Sequence, residues 1–351
     1  MSITATGLRV SESLRIALVG CGRISRNHFD AINRVPGLEL VAVADMVPER
    51  AQSAGEANGV PAFDSLESML ASVECDVVTI ATPSGLHPAH GIVAARAGKH
   101  VVSEKPMAIS LEGADSLIAA CADNGVRLFV VKQNRLNPAI QLLKRAVEKG
   151  RFGRIHSANC TVRWARPQEY YDQAPWRGTW AMDGGAFMNQ ASHYVDLIQW
   201  LAGPVDSVVA MTATQERRIE AEDSGAAVLR FRNGAIGVLD VTMLTYPKNL
   251  EGSLTILGDR GSVKIGGTAV NRVETWLFED YDDDDKLIEA AATTPPSVYG
   301  FGHEGYYRNV VRVLSGDGVP DTDGAEGRKS LEIILAIYES ARTGRAVALG
   351  R

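Results

Sequence analysis

The chain predicts an α/β protein in two parts, a doubly wound parallel sheet followed by an α+β region with a mostly antiparallel sheet. Three observations predict it. Short β-branched runs alternate with helical patterns from residue 14 to about residue 131. A glycine turn, Gly20-Cys21-Gly22-Arg23-Ile24-Ser25, joins the first such run to the first helix. Beyond residue 133, apolar residues recur at every second position and tight connections such as Arg232-Asn233-Gly234 separate the segments.

Taken in order, residues 1–13 read as a tail and Ile16–Val19 as a strand. A helix follows over about Ser25–Arg34, then a second strand, Leu38–Ala44, ending in Asp45. Helical patterns cover Pro48–Asn58 and Ser65–Ala71. Asp76–Ala81 is a third strand, whose Val77-Val78-Thr79-Ile80 is β-branched and unbroken, as a strand buried on both faces requires. A helix around Pro88–Ala97 stops at Gly98, His100–Ser103 is a fourth strand, Ser110 caps the next helix, and Arg127–Val131 is a fifth strand. Asn137-Pro138 then opens a helix ending at Gly150. Alternating segments follow at Ile155–Trp164, Val205–Thr214, Ala226–Arg232, Ala235–Leu244, Ser253–Leu257, Ser262–Ile265 and Val273–Phe278. Helices over about 303–315 and 325–342 finish the chain. The expected domains are 14–133, for a dinucleotide, and 134–351, for substrate and subunit contacts. The acidic run Asp282–Asp285 lacks the spacing of a calcium loop and reads as a solvated loop.

Composition narrows the function. Hydrophobic residues make up 45% of the 351, enough for a packed core, and the net charge of −6 offers no basic field for nucleic acid. No stretch is long and apolar enough to span a bilayer. Cys21, Cys75, Cys121 and Cys160 are scattered without a Cys-x-x-Cys pair. They suit a reduced, cytoplasmic protein without structural zinc. His87 and His90, separated by Pro88, lack a third ligand, so no metal is expected.

The glycine turn has the strand-to-helix context of a dinucleotide site. Gly20 permits the turn, Gly22 admits a pyrophosphate, and the helix offers free N–H groups to the anion. Ser25 stands where a third glycine is usual and is small enough to pack closely. Asp45, 25 positions after Gly20, can accept bonds from a ribose 2′-hydroxyl and would repel a 2′-phosphate, which favours NAD over NADP. Arg50 is the nearest cation against that preference. The third strand ends in Thr82-Pro83-Ser84-Gly85-Leu86-His87, beside the expected switch point. His87 reads equally as a ligand contact or a helix-start residue.

Two polar groups carry candidate chemistry. Glu104-Lys105-Pro106 lies at the carboxyl end of a buried strand, the end at which an open α/β sheet binds ligands. The segment Asp183–Asp196, DGGAFMNQASHYVD, reads as helical from about Ala186, which would put Asn189 and His193 on one face. A core histidine satisfied by a carbonyl is the plainer account of His193 taken alone.

The order Gly20-x-Gly22-Arg23-Ile24, Asp45, Thr82-Pro83 with His87, Glu104-Lys105-Pro106 and a later Gly-Gly with His193 resembles the Gfo/Idh/MocA oxidoreductases over nearly the whole chain. The resemblance implies a Rossmann domain, a second domain with an open, largely antiparallel sheet, and a homo-oligomer, with a tetramer favoured. It implies NAD held by Gly20, Gly22, Arg23, Ile24, Asp45, Thr82, Pro83, Ser84, His87, Glu104, Lys105 and Gln133, and a cis bond before Pro106. Many sugar dehydrogenases of the family carry Asp where this chain has Asn189, which cannot take a proton. Catalysis is therefore expected of Lys105 and His193. His193 is the favoured base, Lys105 positions the alcohol, Glu104 holds Lys105, and the reverse assignment stays open.

Arg163–Trp180, RWARPQEYYDQAPWRGTW, with Tyr246-Pro247-Lys248-Asn249 and Tyr299-Gly300-Phe301-Gly302-His303, is similar to a subgroup, the bacterial UDP-N-acetylglucosaminuronate 3-dehydrogenases. That resemblance implies oxidation of a UDP-linked uronic sugar at C3 for surface polysaccharide. Substrate contacts would come from Lys105, Arg163, Tyr171, Asn189, His193 and Lys248, and Trp176 and Arg177 would lie by the cofactor. Recycling of NADH by a 2-oxo acid such as 2-oxoglutarate is one route the resemblance allows. Cations at Arg163, Arg166, Arg177 and Lys248 and flat faces at Tyr170, Tyr171 and Trp176 suit a diphosphate, a carboxylate and a uracil. A polyol or inositol dehydrogenase, and an NAD-binding redox sensor without turnover, are the alternatives.

Overall fold

In a computed structural model, residues 13–293 and 302–350 are described. Tyr299-Gly300-Phe301 and residues 1–12 of the expected tail lie outside them. The first region runs β1 (Leu14–Val19), α1 (Ser25–Arg34), β2 (Leu38–Ala44), α2 (Pro48–Asn58), β3 (Ala62–Phe63), α3 (Leu66–Ser72), β4 (Val77–Ile80), α4 (His87–Arg96), β5 (His100–Ser103), α5 (Leu111–Asp123) and β6 (Leu128–Val130). The sheet is parallel in the order β3-β2-β1-β4-β5-β6, so β1 lies between β2 and β4 and the order reverses there. Every residue of β4 is buried, as its unbroken apolar run predicts. Ser110 caps α5 by accepting from the Gly113 N–H, and Gly59 closes α2 in the left-handed conformation. The two-residue strand β3 is too short for its pattern to have been visible.

The second region contains α6 (Pro138–Glu148), β7 (Ile155–Arg163), α7 (Gln168–Asp172), α8 (Ser192–Ala202), β8 (Val205–Ala213), β9 (Ser224–Phe231), β10 (Ile236–Thr242), β11 (Glu251–Gly258), β12 (Gly261–Gly266), β13 (Arg272–Phe278) and α9 (Ile288–Ala291). Then come α10 (Gly302–Leu314), α11 (Gly324–Thr343) and β14 (Val347–Ala348). The eight strands lie in the order β13-β12-β11-β7-β10-β9-β8-β14, antiparallel except for the β7–β10 pair. One face of this sheet is core. Ala158, Cys160, Val162, Leu229, Leu239 and Leu254 point into it beneath α8, whose Tyr194 carbonyl meets the Cys160 thiol.

The chain forms two compact units, and each is made of two separate stretches of sequence. Residues His303–Arg328 belong with Met1–Val131, whereas Lys132–Gly302 and Lys329–Arg351 make the other unit. A single boundary near 133 therefore misplaces α10. The reason is local: the Thr322 hydroxyl donates to the Val130 carbonyl, and the Thr322 carbonyl accepts from the Val130 N–H at the edge of the parallel sheet. The acidic run also differs from the expected solvated loop. It forms a capped turn over Asp283–Leu287 whose carboxylates pair with Arg145, Lys149 and Arg151. No helix among the described residues is long and apolar enough to cross a membrane.

Candidate active site

In the first unit the glycine turn is built around close backbone approach. Gly20 has φ +97°, and a Cβ there would lie 2.5 Å from the Ala81 carbonyl carbon. Gly22 has open space where a side chain would point. Ser25, buried in the third glycine's place, donates its hydroxyl to the Gly22 carbonyl at 2.6 Å. No side chain caps α1 and its first turn holds no acid, which leaves its N–H groups available to an anion. Asp45 accepts from the Cys21 and Val47 N–H groups, each at 2.8 Å. It therefore ties the end of β2 to the glycine turn, and a carboxylate so engaged keeps lone pairs for ribose hydroxyls.

Thr82, Pro83 and Ser84 follow β4 beside the reversal of strand order. His87 is buried, with Nδ1 2.7 Å from the Pro106 carbonyl and Nε2 2.8 Å from the Thr82 carbonyl. Burial pushes its pKa down against the pull of those two carbonyls. Both ring nitrogens face backbone carbonyls, so His87 braces the loop between Thr82 and Pro106. The Lys105–Pro106 peptide is cis, as the resemblance implied; Tyr246–Pro247, for which no such expectation existed, is cis too.

Glu104 is the centre of a buried network that its tripeptide alone does not reveal. Its Oε1 accepts from His28 Nε2 at 3.0 Å and from His303 Nε2 at 3.5 Å, and Oε2 accepts from the Lys105 N–H at 3.0 Å. Glu104 thus holds Lys105 through the main chain. The Tyr307 hydroxyl lies 2.9 Å from His28 Nδ1 and 2.8 Å from the Thr79 hydroxyl. A carboxylate only accepts, so His28 carries its proton on Nε2. Burial keeps that ring's pKa low, and its neutral Nδ1 then accepts from Tyr307, whose oxygen accepts from Thr79. Burial alone would raise the Glu104 pKa; the hydrogen bonds from His28 and His303 outweigh it and hold the carboxyl well below the usual range. The ligating atoms of His28, Glu104 and His303 lie within 4.8 Å of one another, a set able to hold a metal ion, but the hydrogen-bond chain accounts for Glu104 and His28 without one.

In the second unit the helix expected from Ala186 is broken. Ala186–Gln190 forms a π turn and α8 starts afresh at Ser192. The i,i+4 face drawn through Asn189 and His193 assumed one continuous α-helix and does not stand in that form. His193 is instead the buried second residue of α8. Asn189 donates its side-chain amide to Asp183 Oδ1, while Asp183 Oδ2 accepts from the Gly178 N–H at 2.7 Å. A carboxylate thus stands next to Asn189, supplied from six positions upstream.

Arg163–Trp180 folds largely upon itself. Arg166 lies over Trp164 and Tyr170, and Arg177 over Tyr170 and Trp176. Tyr171 is buried and Lys248 is exposed on the loop after Tyr246-Pro247. Asn249 Oδ1 fastens that loop by accepting from the Ala165 N–H and from Arg166. Arg163 stands apart from that cluster. It points to the open face of the sheet, pairing with Asp240 and Glu251, whereas Val162 beside it points toward α8. The alternation along Ala158, Cys160 and Val162 already carried that signal. Gln133 is buried with its amide oxygen unpartnered among the described residues, an acceptor suited to a ligand donor.

A parallel sheet with a bare glycine turn, an acid at the end of β2 and a lysine at the end of β5 defines an NAD-dependent dehydrogenase. The model for the oxidoreductase family NAD-binding Rossmann fold matches residues 14–132, and that for the family's C-terminal alpha/beta domain matches residues 144–349. The chain belongs to the Gfo/Idh/MocA oxidoreductase family. It is similar to the WlbA dehydrogenase of Bordetella pertussis, solved in complex with NADH and UDP-GlcNAcA (56% identity, TM-score 0.94, 97% of this chain and 99% of that one). The WlbA dehydrogenase of Chromobacterium violaceum, in complex with the same two ligands, is 51% identical with a TM-score of 0.94 and 99% of both chains covered. A D-apiose dehydrogenase of Paraburkholderia graminis is 29% identical across 99% of this chain and 92% of its own length.

Proposed function

We propose that this protein oxidises the C3 hydroxyl of UDP-N-acetylglucosaminuronate, with NAD as acceptor, in the synthesis of nucleotide sugars for surface polysaccharide. The observation that carries the reading is the 56% identity, over 97% of the chain, to a dehydrogenase captured with NADH and UDP-GlcNAcA. The cluster of Arg166, Arg177, Tyr170 and Trp176 supports it, because a neutral polyol needs no such set of cations.

NAD supplies the acceptor for the hydride that leaves the carbinol carbon. Gly20, Gly22, Arg23, Ile24, Asp45, Thr82, Pro83, Ser84 and Gln133 would hold it, with Trp176 and Arg177 as further contacts. We assign His193 to take the hydroxyl proton on a ring nitrogen, since an imidazole titrates near the working pH. Lys105 would hold the alcohol oxygen and stabilise its developing charge. Asn189, Tyr171 and Lys248 remain the proposed substrate contacts; Arg163, on the open sheet face, is not one within its own chain. That open face exposes Val209, Met211, Val228, Ile236 and Val238, the character of a buried subunit contact, and supports a homo-oligomer, with a tetramer favoured. The place of action is the cytoplasm, where nucleotide sugars are made.

The test follows NADH formation with UDP-N-acetylglucosaminuronate, UDP-N-acetylglucosamine and myo-inositol, each with and without 2-oxoglutarate. Turnover of the uronate is expected, sustained by the 2-oxo acid if bound NADH is recycled through it. Activity confined to inositol overturns the substrate, and tight NAD binding with no turnover overturns the enzyme.

A further inference from the structure

The π turn Ala186–Gln190, which carries Asn189 and leads directly into His193, is not capped by its own neighbours. The backbone donors at its start go to two distant residues. The Gly185 and Met188 N–H groups reach the Tyr338 hydroxyl at 3.4 and 3.1 Å. The Ala186 N–H donates to the Glu222 carbonyl, and the Phe187 N–H to Glu222 Oε1, both at 2.9 Å. Tyr338 in turn donates its hydroxyl proton to Glu222 Oε1 at 3.0 Å. Four successive donors that a helix start leaves without partners are thus satisfied by one carboxyl residue and one phenol.

The glycines make room for this. A Cβ on Gly185 would lie 1.8 Å from Glu222 Oε2, and Gly184, at φ +71°, would meet Met188 at 2.5 Å. The Gly-Gly pair is therefore a seat for the Glu222 carboxyl. Glu222 is buried, and its Oε2 finds no hydrogen-bond partner among the described residues. The titratable groups facing it are Tyr338 from α11 and Asp183 from the preceding loop. Among the described residues no cation is paired with this carboxyl, so the geometry favours a neutral group with its proton on Oε2.

We propose that Glu222, acting as a neutral carboxyl with Tyr338, is a positioning residue that holds Asn189 and His193 in their working geometry. It touches no reacting atom; it acts through the turn. This deepens the dehydrogenase reading and rests on it for the role of His193. Burial, with Asp183 adding to it, pushes the Glu222 pKa up to about 7, so the carboxyl begins to ionise within the working range. Ionisation places an unbalanced charge against the turn, and turnover should fall as pH rises through that value.

The experiment compares Glu222→Gln, Glu222→Ala and Tyr338→Phe in the full-length protein, using whichever alcohol of the panel above the wild type oxidises. Failure of the uronate reading then leaves this test intact. A carboxamide can accept from Phe187 and Tyr338 through its oxygen and never ionises. Glu222→Gln should keep most of the turnover and lose the alkaline fall of kcat near pH 7. Glu222→Ala should lower kcat about a hundredfold, the scale of a reacting group misplaced by an ångström, and Tyr338→Phe about tenfold. NADH affinity, read by fluorescence titration, should be unchanged in all three, which separates misplacement from unfolding. The proposal is overturned if Glu222→Ala binds NADH and keeps wild-type kcat, or if Glu222→Gln binds NADH but loses as much kcat as Glu222→Ala.

Discussion

Glu104 and Glu222 are both buried glutamates, and each anchors a segment that carries candidate chemistry, Lys105 in one unit and Asn189 with His193 in the other. Their environments shift their pKa values in opposite directions. Every oxygen of Glu104 faces donors: two imidazoles on Oε1 and a main-chain N–H on Oε2. At Glu222 only Oε1 meets donors, and Oε2 meets none among the described residues. Burial acts on both in the same direction, so the distribution of donors decides which one ionises. The comparison teaches that a carboxyl can serve as a fixed charge or as a fixed dipole within one protein, and that residue type does not say which.

The largest effect should come from Glu104→Gln. A carboxamide has one oxygen, so its NH2 must face either the two histidines or the Lys105 N–H, and at least one buried donor loses its acceptor. Breaking such a buried charged arrangement costs about 3 kcal/mol of stability. A displaced Lys105 should lower kcat about a hundredfold. Urea unfolding and steady-state kinetics read the two losses. The same substitution at Glu222 should be mild. Equal effects of Glu→Gln at the two positions would erase the contrast.

The second test uses pH. Below about pH 4 the native and unfolded chains both carry the Glu222 proton. Between there and about pH 7 the unfolded chain releases it while the native chain keeps it, so native stability falls as pH rises. Above pH 7 the cost is constant, on the order of 3 kcal/mol for a shift of this size. Glu222→Gln removes that cost. Its stability relative to wild type should grow from near zero at pH 4 to its full value at pH 8, as read by urea titration at several pH values. Glu104 runs the other way. Its contribution is complete above the ordinary carboxyl range and lost as pH falls through its depressed native value. A gain for Glu222→Gln that is flat with pH would mean that Glu222 is already charged in the native state.

Local pattern made the framework legible, and distance in sequence hid the rest. The buried run of β4, the cap at Ser110, and the turn Gly20–Ser25 with Asp45 all depend on neighbours or on one strand–helix unit. The partners of Glu104 come from positions 28 and 303, and those of the π turn from 222 and 338. Nothing local marks His28 as more than one more residue of α1. The Gly-Gly pair before Asn189 did hint at a close approach, and the sequence could not say by what. The break between Asn189 and His193 was invisible because the capping groups that permit a π turn come from other elements. Arg163 is a different case: strand alternation placed it on the outer face, while the resemblance of its segment and its charge had suggested a ligand.

The smallest expected effect is at Tyr307, and it tests where control of the Glu104 network lies. Tyr307→Phe removes a hydroxyl that donates to His28 Nδ1 and accepts from Thr79. The loss should be about 1 kcal/mol, the usual net worth of a buried neutral hydrogen bond, with kcat down only a few-fold. The reason is electrostatic. The ionised Glu104 fixes the proton on His28 Nε2 by its own charge, and Tyr307 merely confirms that tautomer from the other side of the ring. If Tyr307→Phe instead matches Glu104→Gln in lost turnover, the tautomer of His28 governs the site and the carboxylate follows it. Glu104 would then be an anchor whose state is set from outside, as Glu222 is by its surroundings, and the two regions would differ in chemistry but not in principle.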